Sequence, residues 1–328
     1  MRKSAHTAAW VAIGAIAMAA SGSLAASAGD YPDRPIHLLV PGSAGGGMDV
    51  VARLLADNIA ITLKQTVWVD NKPGAAGNTA VNLLAKSPPD GYTIVLGQTS
   101  QLAINPSLYH SLPYDPFKDL APVVLLADAP NVVIVPASSP YKSLADVVNA
   151  AKKMPDGMNV TTPGIGTVSH LTAELFARSA GIKLHHIPSR GANTALLDVA
   201  AGRIPLMLSS IPTSIGLIQS GEVRAIAVSA LKRSPVLPDV PTIAEQGYPG
   251  FNAGTWYGLL VPAGTPADVV ARLNEAGNAA LKSQLIADRV KAEGGVVLGG
   301  SSADFTEKLQ LDNSRWAKVI KDAGIEQE

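Results

Sequence analysis

Apolar residues along this chain fall into short blocks that alternate between strand-like runs and helical stripes. The clearest block covers residues 36–63. It opens with the apolar run Ile36-His37-Leu38-Leu39-Val40, bounded by turn residues as a buried strand is. From Val50 onward the apolar positions Val50, Leu54, Leu55, Ile59 and Leu63 keep one face of a 3.6-residue period. Further strands are predicted at Val67-Trp68-Val69, from Tyr92 to Leu96 and from Met158 to Thr162. Others fall at residues 183–188, at Pro205-Leu206-Met207-Leu208, from Arg224 to Ala230 and at residues 255–261. Two more runs, 121–126 and 131–136, joined by residues 127–130, read as a chain crossing from one domain to another. Helical stripes are predicted at 79–85, 143–153, after His170, at 192–201, 266–281 and 303–323, with Gly181 placed as a helix stop. Strands alternating with helices imply parallel pairing through right-handed crossovers, an α/β class.

The junctions carry the candidate chemistry. Between the first strand and its helix lie Gly42, Ser43, Ala44, Gly45, Gly46 and Gly47, followed by Asp49. Such a loop aims free backbone N–H groups and the positive end of a helix at an anion. It lacks both G-x-G-x-x-G and the Lys-Ser/Thr ending of a P-loop, so nucleotide binding is not supported. The competing reading is a tight turn in which the glycines serve only backbone geometry. The same device recurs where a strand meets Gly164-Ile165-Gly166-Thr167-Val168-Ser169-His170, and a third time at Ser189-Arg190-Gly191 before Ala192. Thr167 or Ser169 is also a candidate ordinary N-cap, and His170 a brace for its loop. Gln98-Thr99-Ser100 follows the third strand as an uncharged polar group, and Ser209-Ser210 ends a later one. Arg190 offers a fork for a carboxylate. His185 and His186 are adjacent in a strand and point to opposite faces, so they are not a metal pair. The aromatic pair Trp256-Tyr257 reads as core rather than cleft.

Composition narrows the function classes. With 328 residues, 47% hydrophobic and 16% charged, the chain is long enough for two domains and is not a disordered sequence. Basic and acidic side chains balance at 26 each, and loss of Arg2 and Lys3 with a leader leaves 24 basic against 26 acidic. Bulk charge therefore draws no nucleic acid. The absence of cysteine excludes disulfides, thiolate metal sites and cysteine nucleophiles. Arg2-Lys3, the apolar run 8–20 and Ala26-Ser27-Ala28 read as a signal peptide over residues 1–28, cleaved near Ala28, rather than a membrane anchor. The expected location is the periplasm. Catalysis lacks support: there is no G-x-S-x-G elbow and no H-E-x-x-H, and Ser169 beside His170 makes no triad.

Many short blocks in order are similar to one family. They include Tyr31-Pro32 with Arg34-Pro35, Gly45-Gly46-Gly47 with Asp49 and Ala52-Arg53, and Asp70-Asn71-Lys72-Pro73-Gly74. Pro89-Asp90-Gly91-Tyr92, Ile104-Asn105-Pro106, Gly164-Ile165-Gly166-Thr167 and Leu237-Pro238-Asp239-Val240-Pro241 continue the series. Over the whole mature chain the sequence resembles the periplasmic solute receptors of tripartite tricarboxylate transporters, the Bug group. The resemblance implies a type II periplasmic-binding-protein fold, two α/β domains around a ligand cleft. On that pattern residues 29–128 and 253–328 form one domain and 129–252 the other. It also implies a receptor without cofactor or metal, a monomer, that delivers a small organic carboxylate to transporter membrane subunits. A sensor docking on a signalling partner is the alternative, and an exported enzyme a more remote one.

In that family the loop at 42–49 grips one carboxylate and the loop at 164–170 binds the far end. The implied contacts are Gly42, Ser43, Ala44, Gly45, Gly46 and Asp49 from the first loop, with Gln98, Thr99 and Ser100 beside it. Gly164, Thr167, Val168, Ser169, His170, Arg190, Ala192 and Ser209 are implied from the other side. Three departures bear on specificity. Ser43-Ala44 stands where a Pro-Pro or bulky residue is usual, Ser189-Arg190-Gly191 where Tyr-Lys-Gly is common, and Ser209-Ser210 where an Asp is frequent. A lost carboxylate and a retained forked cation favour a dicarboxylate or aromatic carboxylate over an amino acid.

Overall fold

The computed structural model describes residues 31–189 and 191–325. The leader and Arg190 lie outside the described residues. The first half runs β1 (Ile36–Val40), α1 (Gly47–Leu63), β2 (Val67–Asn71), a 3₁₀ turn (Ala75–Gly77), α2 (Asn78–Ala85) and β3 (Thr93–Gln98). A π turn (Ser100–Ile104), α3 (Asn105–Leu108), β4 (Leu120–Pro136), α4 (Leu144–Ala151) and β5 (Met158–Thr162) follow. Next come α5 (Val168–Ala180), β6 (Leu184–Pro188), α6 (Ala192–Ala200), β7 (Leu206–Ser210), α7 (Ile211–Gln219) and β8 (Val223–Val228). The chain closes with β9 (Gly254–Pro262), α8 (Ala267–Ala280), α9 (Gln284–Ala292), β10 (Val296–Val297) and α10 (Ser302–Ala323).

The strands hydrogen-bond in the order β2-β1-β3-β9-β4-β7-β5-β6, with β8 and β10 also on β4. Pairing is parallel for β1 with β2 and β3, and for β5 with β6 and β7, as the strand–helix alternation predicts. The two runs at 121–126 and 131–136 and the residues joining them form one strand. Along β4 the partners change: Leu120 to Pro130 face β9, whereas Asn131 onward faces β7 and β8. One strand thus belongs to both halves of the sheet. Pro130, which has no N–H to give a ladder, sits at the change of partner.

Helix ends follow local chemistry. Ser143 and Ser301 form capping boxes with Asp146 and Asp304, and Gly181 and Gly324 end their helices in the left-handed region. The buried face of α1 differs from the predicted one. Val51, Ala52, Leu55, Ala56, Ile59 and Leu63 are inward, while Val50 is exposed. Small Ala52 and Ala56 let α1 approach its neighbours closely, so the stripe is centred about one position further on. Across the sheet, Trp256 and Phe305 meet edge to face at 5.4 Å, both fully buried.

Candidate functional site

The first loop is held from three sides. The backbone turns at Gly45, whose φ of +78° suits glycine, and the Gly46 N–H donates to the Ser43 carbonyl at 3.2 Å. Asp49, in the first turn of α1, accepts from the Gly45 N–H at 2.8 Å and from Arg53 Nε at 3.1 Å. Asn71 at the end of β2 donates to the Gly42 carbonyl at 3.1 Å. The Arg53 hydrogen bond is the largest influence holding the Asp49 carboxyl below its ordinary range; burial opposes it, and the Gly45 N–H and Asn71 assist. The Asp49 carboxylate is therefore buried and braces the loop from within. Ser43, Ala44, Gly45 and Gly46 are exposed beyond it and Gly42 is half-buried.

The second loop lies in the other half of the sheet. Thr167 caps α5, accepting from the His170 N–H at 3.2 Å, and its hydroxyl donates to the Gly164 carbonyl at 2.8 Å. His170 Nδ1 accepts from the Gly166 N–H at 3.1 Å, which requires that nitrogen unprotonated. The His170 ring stacks on His186 at 4.0 Å, and His186 Nε2 lies 2.6 Å from Thr162 Oγ1. Burial first, then His186, lowers the His170 pKa to about 4. Gly166 has φ +71°, and a Cβ there would sit 2.6 Å from Leu108 of α3. This close approach sets the second loop against the half that carries the first.

Several expected contacts are built into the scaffold. Thr99 is fully buried, donating to the Gly254 carbonyl and accepting from the Trp256 N–H at 2.9 Å. The Ser169 hydroxyl donates to Asn131 Oδ1 at 2.8 Å, and the Ser209 hydroxyl to the Ser210 carbonyl at 3.2 Å. All three hydroxyls donate to partners within the fold. Val168 is buried, while Gln98, Ser100, Gly164, Thr167 and Ala192 are half-buried at element ends. The loops after β1, β2 and β3 meet. A Cβ on Gly77 would lie 2.2 Å from Gln101 Nε2 and 3.0 Å from Pro41.

Sequence reasoning missed a polar group beside α1. Arg289 Nη2 donates to Glu293 Oε1 at 2.9 Å, and Tyr257 OH lies 3.3 Å from Glu293 Oε2. A Cβ on Gly47 would fall 3.0 Å from Arg289 Nη2 and 3.3 Å from Glu293 Oε1. Burial, then Glu293, pushes the Tyr257 hydroxyl up, so it stays a neutral donor. Only the i, i+4 spacing of Arg289 and Glu293 was available as a signal, and it reads equally as a surface pair. At the next residue, a Cβ on Gly294 would meet Ile211 at 2.6 Å, directly after Ser209-Ser210. The first loop is thus linked to the end of β7 through the end of α9.

The histidine geometry makes stability pH-dependent. The folded pKa of about 4 lies below the reference of 6.5, so the unfolded chain takes the proton first as pH falls. The contribution is full above pH 6.5 and declines toward pH 4. Between pH 7 and 4.5 the wild type is expected to lose on the order of 2 kcal/mol more than His170→Gln. Urea titrations of both proteins check this; parallel losses would show that His170 is protonated as easily folded as unfolded.

Among the described residues no helix is long and apolar enough to cross a membrane. Residues 51–325 match the model of the tripartite tricarboxylate transporter family receptor. The chain is 34% identical over 299 residues to protein BugT of Bordetella pertussis, covering 91% of this chain and 92% of that one. A solved R. palustris protein with adipate is 36% identical, with TM-score 0.74, covering 90% of this chain and 99% of that one. MatC from Rhodopseudomonas palustris with bound malate is 33% identical, with TM-score 0.70, covering 88% of this chain and all of that one. These likenesses bear out the type II periplasmic-binding-protein fold, two α/β domains around a ligand cleft. The family consists of periplasmic solute-binding receptors and not of enzymes. The chain belongs to the tripartite tricarboxylate transporter receptor family.

Proposed function

We propose that this receptor captures a small organic carboxylate, preferentially a dicarboxylate or aromatic carboxylate, in the cleft and delivers it to the membrane subunits of a tripartite tricarboxylate-type transporter. The observation that carries the reading is the pair of braced glycine loops. Each ends at a helix N-terminus, and one of them is tethered by Gly166 against α3 of the opposite half. Helix N-termini favour negative charge, and a loop of small residues lets a ligand approach the backbone closely. The relatives with adipate and with malate support a two-ended acid as ligand. We place the domain division at 29–128 and 253–328 against 129–252, beside the residues where β4 changes partners. Signal-peptide cleavage near Ala28 and the monomeric state belong to the same proposal. Closure on the ligand presents the surface that the membrane subunits recognise.

A thermal-shift screen of the mature protein against malate, adipate, benzoate and the common amino acids tests the reading. A ligand at 100 times its dissociation constant stabilises the folded state by about 2.7 kcal/mol. The expected result is a shift with at least one dicarboxylic or aromatic acid, reduced in Arg190→Ala. Shifts with amino acids alone would overturn the ligand preference, and silence across every carboxylate would overturn carboxylate capture.

A further inference from the structure

A cavity of about 200 Å³ lies where the two halves of the sheet join, bounded by Asp128 and Pro130 of β4, Leu231 after β8, and Val296 and Leu298 around β10. It is separate from the two glycine loops. One of its walls comes from each half, and Ser234 of the cavity wall ties them by donating to the Gly294 carbonyl at 2.8 Å. Asp128 pairs directly with Trp256 on one side and Val296 on the other, so its side chain shares their face of the sheet. Leu298, two residues beyond Val296, keeps the same parity.

The carboxylate of Asp128 has an unusual environment. Among the described residues none donates a hydrogen bond to it. Its Oδ1 lies 2.9 Å from where a Cβ on Gly254 would be, so that glycine leaves it room. Burial raises its pKa, with Asp312 adding to the effect, and Lys308 and Arg315 opposing it. The latter two cations are already engaged by Asp312. On the cavity rim, Arg233 is paired with Glu245, and Lys232 is exposed. Polar Lys232, Arg233, Ser234 and Asn252 line it together with an apolar side made of Leu231, Val296 and Leu298, which are partly open to solvent at 56%, 43% and 45%. A desolvated acceptor beside an apolar wall is complementary to one kind of molecule, a cationic donor carrying a short hydrocarbon tail.

We propose that this cavity is a second ligand site, which takes a small primary ammonium compound with a compact apolar tail. The ammonium group donates to Asp128 and the tail packs on Leu231, Val296 and Leu298. Because β4 passes between the two halves at this point, occupancy bears on the strand that joins them.

The test is calorimetric titration of the mature protein with n-butylammonium, with n-butanol and butyrate as controls for charge. Saturable one-to-one binding of n-butylammonium is expected, at least about 10-fold tighter than n-butanol. Two variants locate it. Asp128→Asn removes the charge while keeping the shape, and Leu231→Arg places a cation at the exposed mouth. Each is expected to weaken n-butylammonium at least about 10-fold while leaving the carboxylate response of the cleft unchanged. Absence of saturable binding to the wild type, equal affinity for the alcohol, or an unchanged affinity in either variant would overturn the second site. The carboxylate screen reads the cleft independently, so failure here leaves that reading untouched.

Discussion

Asp49→Ala is expected to weaken carboxylate binding by about 10- to 100-fold and to lower stability by about 2 kcal/mol. Two effects oppose each other. Removing a negative charge from the first turn of α1 favours a bound anion by about 0.3–1 kcal/mol. The same substitution removes the acceptor of the Gly45 N–H and the partner of Arg53, so the loop around Ser43, Ala44 and Gly45 loses its internal tie. Re-ordering a residue on binding costs roughly 1–2 kcal/mol, and three such residues outweigh the electrostatic gain. Stability falls because the Gly45 N–H loses its acceptor and Arg53 loses its carboxylate partner, keeping only the Asn71 amide oxygen. Isothermal titration with the strongest ligand of the screen, together with urea unfolding, measures both quantities. Asp49→Asn keeps an acceptor for Gly45 and is expected to lie between the two. Tighter binding by Asp49→Ala would show instead that the helix-end charge, not loop order, governs affinity.

Asp312→Ala is expected to lower unfolding stability by about 3–5 kcal/mol, the cost of breaking a buried ionic cluster by deleting one partner. Its carboxylate, 3% exposed, accepts from Trp256 Nε1 at 2.7 Å and from Arg315 Nη2 at 2.6 Å, and pairs with Lys308 Nζ at 3.0 Å. Truncation strands two cations and an indole N–H beside the Trp256–Phe305 contact. Arg315 keeps its bond to the Asn252 carbonyl, which holds the guanidinium near the vacated position. The comparison is Asp322→Ala, which removes the partner of Arg178 and Lys318 at the surface and is expected to cost less than about 1 kcal/mol. Urea midpoints with unchanged slopes measure the difference. Equal losses in the two variants would place Asp312 among ordinary surface pairs.

The glycine loops, the caps at Thr167 and Ser143, and the stop at Gly181 were legible in the sequence because each is a local matter of backbone conformation and nearest acceptor. The strand–loop–helix alternation likewise carried the parallel pairing of β1 with β2 and β3, and of β5 with β6 and β7. The assignment of His170 as a loop brace rested on its place in the first turn, and its ring does hold Gly166. Tertiary structure decided the rest. Pro122 and Pro130 argue locally against a long strand, yet β4 is continuous because its partners are chosen across the sheet, and its pairing on β9 shifts register just after Pro122. Thr99 and Ser169 read as free hydroxyls only until Gly254, Trp256 and Asn131, distant in sequence, arrive as partners. Arg289, Glu293 and Tyr257 came to α1 by the packing of α9 and β9, which no local pattern specifies. Short-range conformational preference is written in neighbouring residues, whereas the partner of a buried polar group is set by which surfaces fold together.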